Sequence, residues 1–332
     1  MNKKAKKLIS VLLLCSFAVF GLAGCKDKEE AAAPEEVDPE IQNAPIKIGA
    51  TTLPEHLIIQ EMVAQLIEEN TDLKVERLAP IDGSPDELQA LYEKGEADII
   101  PQYMSMGWTN ILGHSIDTMP KEDVKEALTA EYEEKYGSRW IGTIGYERSV
   151  ALAVRPETIA KYELETISDL AEVSSELTLG ADADFLNDKE AYQALAKTYG
   201  LHFQDAQEIS DEEKFQALDE KKCDVINIMS TDSRIADYGT VIVKDDLSFF
   251  PDNRSSLVVR NDIITAHPEL EKLLKSTKKL ISLTEMTNLN YQLNTIKRPV
   301  ADIATDYLVS QDLIEKVEEE EVEEPSTTGK KK

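Results

Sequence analysis

The chain carries one helix-to-strand unit twice, once in each half, and this repeat limits the possible folds more than any other feature. Residues 89–100 read QALYEKGEADII and residues 216–226 read QALDEKKCDVI, one residue shorter. A capping-box pattern precedes each unit, at residues 84–87 and 210–213. Helix-to-strand units share composition, so the likeness could arise by chance, but the matching boxes favour two lobes built alike.

The first half alternates strand and helix patterns. Strands are predicted at residues 46–50, 74–78 and 97–100. The helix after the first strand is predicted to begin with a capping box, with Thr52 as N-cap and Glu55 at position N3. Strands that alternate with helices in this way are typical of a parallel α/β sheet.

Two extended segments connect the halves. Residues 146–154 lead the chain out and residues 249–259 lead it back, and a strand at 177–180 and a helix at 188–199 lie between them. We therefore predict an α/β fold of two lobes joined by two crossovers. Open α/β sheets bind ligands at the carboxyl ends of their strands, so a ligand cleft is expected between the lobes.

The N-terminus resembles that of a bacterial lipoprotein. Four lysines precede an apolar stretch at residues 8–20, which is short for a membrane span and is followed by Leu-Ala-Gly-Cys ending at Cys25. By this resemblance Cys25 is lipidated and becomes the first mature residue, although an ordinary secretory signal with a chance cysteine would look similar. We expect a lipid-anchored protein on the extracytoplasmic face of the cell membrane.

These patterns give a full domain prediction. It comprises a lipoprotein signal peptide (1–24), a flexible tether (25–44), a discontinuous lobe I (45–148 and 255–314), lobe II (149–254) and a disordered acidic tail (315–332).

Charge excludes one class of partner. The chain has 64 acidic and 36 basic residues, a formal net charge of -28. A nucleic-acid-binding protein normally has the opposite sign, so no nucleic acid is expected as a partner. Attraction of cationic solutes is one interpretation of this acidity, and solubility of a surface-exposed protein is the simpler one.

The loops after two predicted strands supply the candidate site. Tyr103 and Trp108 follow the strand at 97–100, and Ser230, Thr231 and Asp232 follow its counterpart in the second half. Backbone N–H groups at the helix that starts near Thr52 could hold a ligand carboxylate. Each residue also has a structural interpretation, because Tyr103 and Trp108 could pack in the core and Asp232 could pair with Arg234.

Most of residues 46–314 resemble the substrate-binding proteins of quaternary-amine ABC importers, which take up glycine betaine, carnitine or choline. The segments that carry the resemblance are IKIGA (46–50), QEM (60–62), ADIIPQY (97–103), ALAVR (151–155), ISDL (167–170), LTLG (177–180), STDSRI (230–235), FFP (249–251) and LNYQ (289–292). The resemblance implies a type II periplasmic-binding-protein fold, a small-molecule solute and an ABC permease as partners.

The same resemblance implies an aromatic cage. A quaternary ammonium cannot donate a conventional hydrogen bond, and each aromatic face contributes about 0.5–2 kcal/mol to holding it. Tyr103 matches a cage tyrosine, but Val150 and Asn253 stand where many members have tyrosine. Trp108 and Tyr146 could substitute.

Three charged side chains near the crossovers, Glu147, Arg148 and Arg254, keep the identity of the solute open. A different polar or zwitterionic solute is therefore an alternative.

An enzyme and a surface interaction protein are the rival classes. The sequence has no Gly-x-Ser-x-Gly elbow, no phosphate-binding glycine-rich loop and no His-x-x-x-His pair. We therefore expect no catalysis, no cofactor and no metal. Saturable binding of one small molecule would distinguish an importer component from a lipid-anchored interaction protein.

Overall fold

The computed structural model describes residues 38–120 and 124–315, and two five-stranded sheets organise this part of the chain. The strands, in chain order, are β1 (Ile46–Ile48), β2 (Val75–Arg77), β3 (Ile99–Tyr103), β4 (Ser138–Glu147), β5 (Val150–Val154), β6 (Thr178–Ala181), β7 (Asp205–Glu208), β8 (Val225–Met229), β9 (Val241–Val243) and β10 (Arg254–Arg260).

Helices cover both sheets. They are α1 (Pro39–Asn43), α2 (Pro54–Asn70), α3 (Pro85–Glu93), α4 (Met104–Met106), α5 (Val124–Tyr136), α6 (Pro156–Tyr162), α7 (Ile167–Val173), α8 (Ala183–Asn187), α9 (Ala194–Tyr199), α10 (Lys214–Asp219), α11 (Arg234–Tyr238), α12 (Asn261–Ala266), α13 (Pro268–Lys275), α14 (Leu283–Asn294) and α15 (Val300–Ser310). Short 3-10 turns lie at Ile116–Thr118 and Ser174–Glu176, and π-helical turns at Gly107–Ile111 and Lys189–Gln193.

The first sheet has the order β2-β1-β3-β10-β4 and the second has the order β7-β6-β8-β5-β9. In the first sheet β1 is parallel to β2 and β3, whereas β10 runs antiparallel to both β3 and β4. The second sheet repeats this plan, because β6 is parallel to β7 and β8 while β5 runs antiparallel to β8 and β9. The repeated unit forms α3–β3 in one sheet and α10–β8 in the other, and both strands are central.

Two crossovers join the sheets, as predicted. The chain leaves the first sheet at the end of β4 and enters β5 after only two residues, and it returns from β9 to β10. We call the first sheet with its helices lobe I and the second sheet with its helices lobe II. Apolar side chains fill both faces of each sheet, which is expected where helices cover a sheet on both sides.

The structure shows one of the three predicted capping boxes and corrects the other two. Helix α3 begins with its box, in which the Glu87 carboxylate accepts a hydrogen bond from the Ser84 N–H at 2.9 Å. Helix α10 begins only at Lys214, after a turn at 211–213. Helix α2 begins at Pro54 with Leu53 as its N-cap, because proline fits the first helical position. The Glu55 side chain is therefore free to point elsewhere.

The predicted ends of the chain lie mostly outside the described residues. The signal peptide, Cys25 and nearly all of the acidic tail belong to residues 1–37 and 316–332. The last part of the predicted tether differs from the prediction, because residues 39–43 form helix α1, whose N-cap Asp38 accepts from the Glu40 N–H. Ile41 of this helix packs against the lobe I core. Among the described helices, none has the length and apolar character that a membrane crossing requires.

Gly145 in β4 gives a first testable prediction. Its φ is +127°, and a Cβ added there would lie 2.6 Å from the Ile281 carbonyl oxygen. We expect Gly145→Ala to lower the free energy of unfolding by about 2 kcal/mol or more, because backbone strain adds to a clash with another backbone. Urea denaturation measures this. Gly113→Ala is the matched control, since Gly113 also has positive φ (+78°) but an added Cβ there would have no atom of the described residues within 4 Å. Equal losses in the two variants would contradict the role of the clash.

Candidate ligand-binding site

The Glu55 carboxylate lies at the junction of the lobes and gathers side chains from both. It is 3% exposed. Oε1 accepts hydrogen bonds from the Tyr103 hydroxyl at 3.3 Å and the Thr231 hydroxyl at 3.1 Å, and it lies 2.8 Å from Nε of Arg148. Oε2 accepts from the Asn290 amide at 3.4 Å. One buried carboxylate thus connects α2, the end of β3, a crossover, the loop after β8 and helix α14; we call these five residues the Glu55 cluster.

A cation lies over an aromatic face inside this cluster. The guanidinium carbon of Arg148 is 6.0 Å from the centroid of the Tyr103 ring. Arg148 belongs to the two-residue link between β4 and β5, and its side chain is 26% exposed. A guanidinium within about 6 Å of a ring centroid is attracted to the π-face. The site therefore combines a positive group, an aromatic face and a carboxylate.

Two buried tyrosines border the carboxylate. Tyr103 is 1% exposed and Tyr146 is 0% exposed. Burial raises the pKa of each phenol well above its ordinary value, and the nearby Glu55 charge raises both further. Both hydroxyls therefore keep their protons at neutral pH and remain hydrogen-bond donors.

His56 supports the Tyr103 ring from another side. The two rings are stacked, with centroids 5.3 Å apart and an interplanar angle of 23°. Nδ1 of His56 is 2.9 Å from the Thr51 hydroxyl oxygen. Burial lowers the pKa of His56 to about 3, and the positive charge of Arg148 contributes to the shift. His56 is therefore neutral under ordinary conditions and acts as a packing surface.

Hydrogen bonds fix the lobe II loop against the crossover and helix α14. Ser230 Oγ accepts from the Ser149 N–H at 3.0 Å and donates to the Glu147 carbonyl at 2.7 Å. The Asn290 amide donates to the Thr231 carbonyl at 2.8 Å. The loop that carries Ser230 and Thr231 thus has a defined position beside lobe I.

The two crossovers also bind each other. The Arg148 N–H donates to the Asn253 carbonyl at 3.2 Å, and the Asn253 amide donates to the Arg148 carbonyl at 2.6 Å. These bonds fix the backbone that carries Arg148.

Two buried polar atoms beside the cluster, His56 Nε2 and Asn290 Oδ1, lack a hydrogen-bond partner among the described residues. The Tyr146 hydroxyl faces the hydroxyls of Ser255 and Tyr103. Ser255 pairs directly with Tyr103 across β10 and β3, so both side chains lie on one face of the sheet. A buried polar group without a partner costs about 1–3 kcal/mol, and such groups are rare unless water or a ligand binds them. The unpartnered atoms of His56 and Asn290 are therefore available to water or to a polar group of a ligand.

Tyr103, Tyr146, Ser230 and Thr231 were predicted from the sequence, and the structure brings them together at this junction. Thr52 lies at the surface, with its hydroxyl 3.4 Å from the Asp82 carboxylate, because α2 starts one residue later than predicted.

Trp108 is placed in the core of lobe I instead of the Glu55 cluster. It packs with Leu128 and Trp140, and its indole N–H donates to the Ser115 carbonyl at 3.2 Å. The loop after β3 turns at once into α4 and a π-helical turn, which carries the Trp108 ring back onto lobe I.

Asp232 and Arg254 are neutralised by close neighbours. Asp232 pairs with Arg234 at 2.6 Å, the structural interpretation left open by the sequence, and Arg254 pairs with Asp252 while its side chain remains 42% exposed. Neither contacts Glu55. Asn253, at a cage-tyrosine position, binds Arg148 and Ser105 with its amide group.

Sequence reasoning missed Glu55, His56 and Asn290, and it noted Arg148 only as charge near a crossover. A signal for Glu55 was available, because Pro54 fits position N1 and so moves Glu55 from N3 to N2. The stacking of His56 on Tyr103 had no such signal.

A surface cavity of about 640 Å³ lies elsewhere, beside Tyr92, Tyr136 and Arg260. Tyr92 belongs to α3, Tyr136 ends α5 just before β4, and Arg260 ends β10. The cavity therefore lies at the opposite end of β4 and β10 from the crossovers and Glu55.

The fold and the inter-lobe site define a class, the type II periplasmic-binding proteins. A crystal structure titled as a glycine betaine/carnitine/choline ABC transporter superposes with a TM-score of 0.76 at 31% identity, covering 81% of this chain and 99% of that one. Apo YehZ from Escherichia coli superposes with a TM-score of 0.73 at 19% identity, covering 81% and 99%, and supports the fold alone.

The family follows from sequence. Residues 44–310 match the substrate-binding domain of ABC-type glycine betaine transport systems, and the chain belongs to this family. It is 30% identical over 317 residues to the carnitine transport binding protein OpuCC of Listeria monocytogenes, covering 95% of this chain and 99% of that protein.

A second relative is longer. The chain is 28% identical over 268 residues to the ergothioneine transport permease/ergothioneine binding protein EgtU of Helicobacter pylori. The match covers 81% of this chain and 48% of EgtU, so the chain spans about half the length of that relative.

Family membership confirms the predicted type II fold and the predicted class of protein. Members of this family are substrate-binding components of ABC importers and not enzymes. Such components work on the extracytoplasmic side of the membrane.

Proposed function

We propose that this protein delivers a quaternary-amine solute, such as glycine betaine, carnitine or choline, to an ABC permease. The observation that carries the proposal is the guanidinium of Arg148, which lies over the Tyr103 ring and against the Glu55 carboxylate. An aromatic face and a buried carboxylate are the groups that a quaternary ammonium requires, because it offers positive charge but no hydrogen bond. The names of OpuCC and of the glycine betaine transport family agree with this solute class.

A second candidate is a different polar or zwitterionic solute. Val150 is half-buried against the lobe II core, and the Asn253 amide is engaged by Arg148, so neither position supplies a ring. Fewer rings and more charged groups favour a solute that forms ion pairs and hydrogen bonds. Ergothioneine, the solute in the name of one relative, does not separate the two candidates, because it is itself a trimethylammonium zwitterion.

Isothermal titration calorimetry of the purified protein against glycine betaine, carnitine, choline, proline betaine and ergothioneine tests the first candidate, because all five carry a quaternary ammonium group. Saturable binding of one methylated-amine molecule per protein chain supports the proposal. Binding of none of these solutes would overturn it. Chemical turnover of a bound solute would instead support the enzyme alternative.

We also propose that Cys25 carries a lipid that holds the protein on the outer face of the cell membrane. The basic segment, the short apolar stretch and Leu-Ala-Gly-Cys support this proposal. The expected result is that the wild-type protein fractionates with membranes and that Cys25→Ser does not become lipidated, as mass spectrometry of the mature N-terminus would show.

Tyr103 gives a second prediction. Tyr103→Ala removes the ring from the Glu55 cluster, and we expect it to weaken binding of the solute by more than about 1 kcal/mol, because a cation–π contact in a desolvated site is worth this much. Titration calorimetry measures the change. Tyr103→Phe keeps the ring and loses only the hydroxyl, so it should bind more tightly than Tyr103→Ala. Unchanged affinity in Tyr103→Ala would show that the ring only packs.

A further inference from the structure

We propose, resting on the proposed function, that Arg148 determines specificity by making the site select zwitterions over simple cations. Its guanidinium occupies the place that a cationic head group would take, over Tyr103 and beside Glu55. A solute can take that place only if Arg148 moves, and the new surroundings of Arg148 then decide which solutes bind.

Charge balance argues against a simple cation. Glu55 is buried and carries the negative charge that faces Tyr103, and its Oε1 atom already lies 2.8 Å from Nε of Arg148. The neighbouring carboxylate of Glu147 accepts from the Ser149 hydroxyl at 2.8 Å and the Asn253 N–H at 3.2 Å. Choline would therefore place two cations against one buried carboxylate, and like charges in a desolvated site oppose each other strongly.

A zwitterion removes this conflict. Its ammonium group takes the position over Tyr103 against Glu55, and its carboxylate receives the displaced guanidinium. The planar fork of arginine matches a carboxylate with two parallel N–H···O bonds, which are stronger than neutral hydrogen bonds. Glu55, Arg148 and the two charged groups of the solute then balance one another.

Arg148 is placed so that its side chain can make this exchange. Its backbone is fixed by two hydrogen bonds to Asn253, but its side chain is 26% exposed, and Glu55 is the partner with which it forms an ion pair among the described residues. The guanidinium can thus leave Glu55 while the crossover keeps its shape.

The test compares the affinities of glycine betaine and choline in three proteins by titration calorimetry. We expect the wild-type protein to bind glycine betaine at least about tenfold more tightly than choline. Arg148→Gln should shift the ratio of the two affinities toward choline by at least about tenfold, because Glu55 is then available to a simple cation. Arg139→Gln is the matched control, since Arg139 lies at the other end of β4 with 29% side-chain exposure and should leave the ratio unchanged.

One further variant keeps the outcomes separate. The double variant Glu55→Gln/Arg148→Gln removes both charges, so it remains informative if Arg148→Gln alone does not fold, and its two affinities should lie within a few fold of each other. A wild-type ratio retained in Arg148→Gln or in the double variant would overturn the role of Arg148 while leaving the proposed function intact. Wild-type protein that binds neither solute would overturn the proposed function, and the inference about Arg148 with it.

Discussion

Glu55→Gln is expected to weaken solute binding by about 2–5 kcal/mol, the largest effect expected of any single substitution at the site. Glutamine has nearly the same shape, so the Tyr103 and Thr231 hydroxyls keep an acceptor. The negative charge is lost, however, and Arg148 becomes a cation without its buried partner. A quaternary ammonium would then meet positive charge and no compensating carboxylate. Titration calorimetry with the best-binding solute measures the loss.

Glu61→Gln is the control for Glu55→Gln. Glu61 lies on the same helix, is also nearly buried and pairs with an arginine, Arg77, at 2.7 Å, but it has no contact with the Glu55 cluster. Glu61→Gln should change the free energy of unfolding without changing the affinity for the solute. If Glu55→Gln bound the solute as well as the wild-type protein does, the carboxylate would serve only to hold the lobes together.

Acidification from pH 7 to pH 4 is expected to remove about 3 kcal/mol of stability through His56 alone. In the unfolded chain this imidazole takes up a proton near pH 6.5, whereas burial and Arg148 lower its pKa in the folded protein to about 3. The unfolded state therefore binds more protons than the folded state between these two values. The contribution of neutral His56 to the stability of the folded protein is complete above pH 6.5 and is lost as the pH falls toward 3.

Urea denaturation of the wild-type protein and of His56→Gln at pH 7 and pH 4 isolates this effect. Surface carboxylates titrate in the same range, but they do so in both proteins and cancel in the comparison. The variant should lose about 3 kcal/mol less than the wild-type protein over this interval. Equal losses would show that His56 is protonated in the folded state, in contradiction to its burial.

The sheets were predictable because their signals are local. Apolar runs and helix periods placed β1, β2, β3 and β6 within a few residues, and the repeated unit placed α3–β3 and α10–β8 at equivalent positions. The extended segment at 249–259 indicated that the chain returns to lobe I as β10. Helix starts were less predictable, because a side chain at a capping position can serve another contact, as Glu55 does.

The site was predictable only where residues follow a strand directly. Tyr103 and Thr231 lie at or just after the ends of β3 and β8, and a sheet edge fixes where such residues point. Trp108 follows five residues later, after the chain has turned into a helix, and the direction of its ring depends on that turn. Arg148, His56 and Asn290 reach the site through tertiary packing, which a single sequence does not reveal.

The position of β10 has a consequence for the order in which the lobes are built. Every strand of the second sheet lies within one continuous stretch, residues 150–243, whereas the first sheet needs residues 254–260 between β3 and β4. A chain made from its N-terminus can thus complete the later lobe first, while the earlier one waits with two strand edges unpaired. Such edges are prone to wrong pairing until the last quarter of the polypeptide arrives.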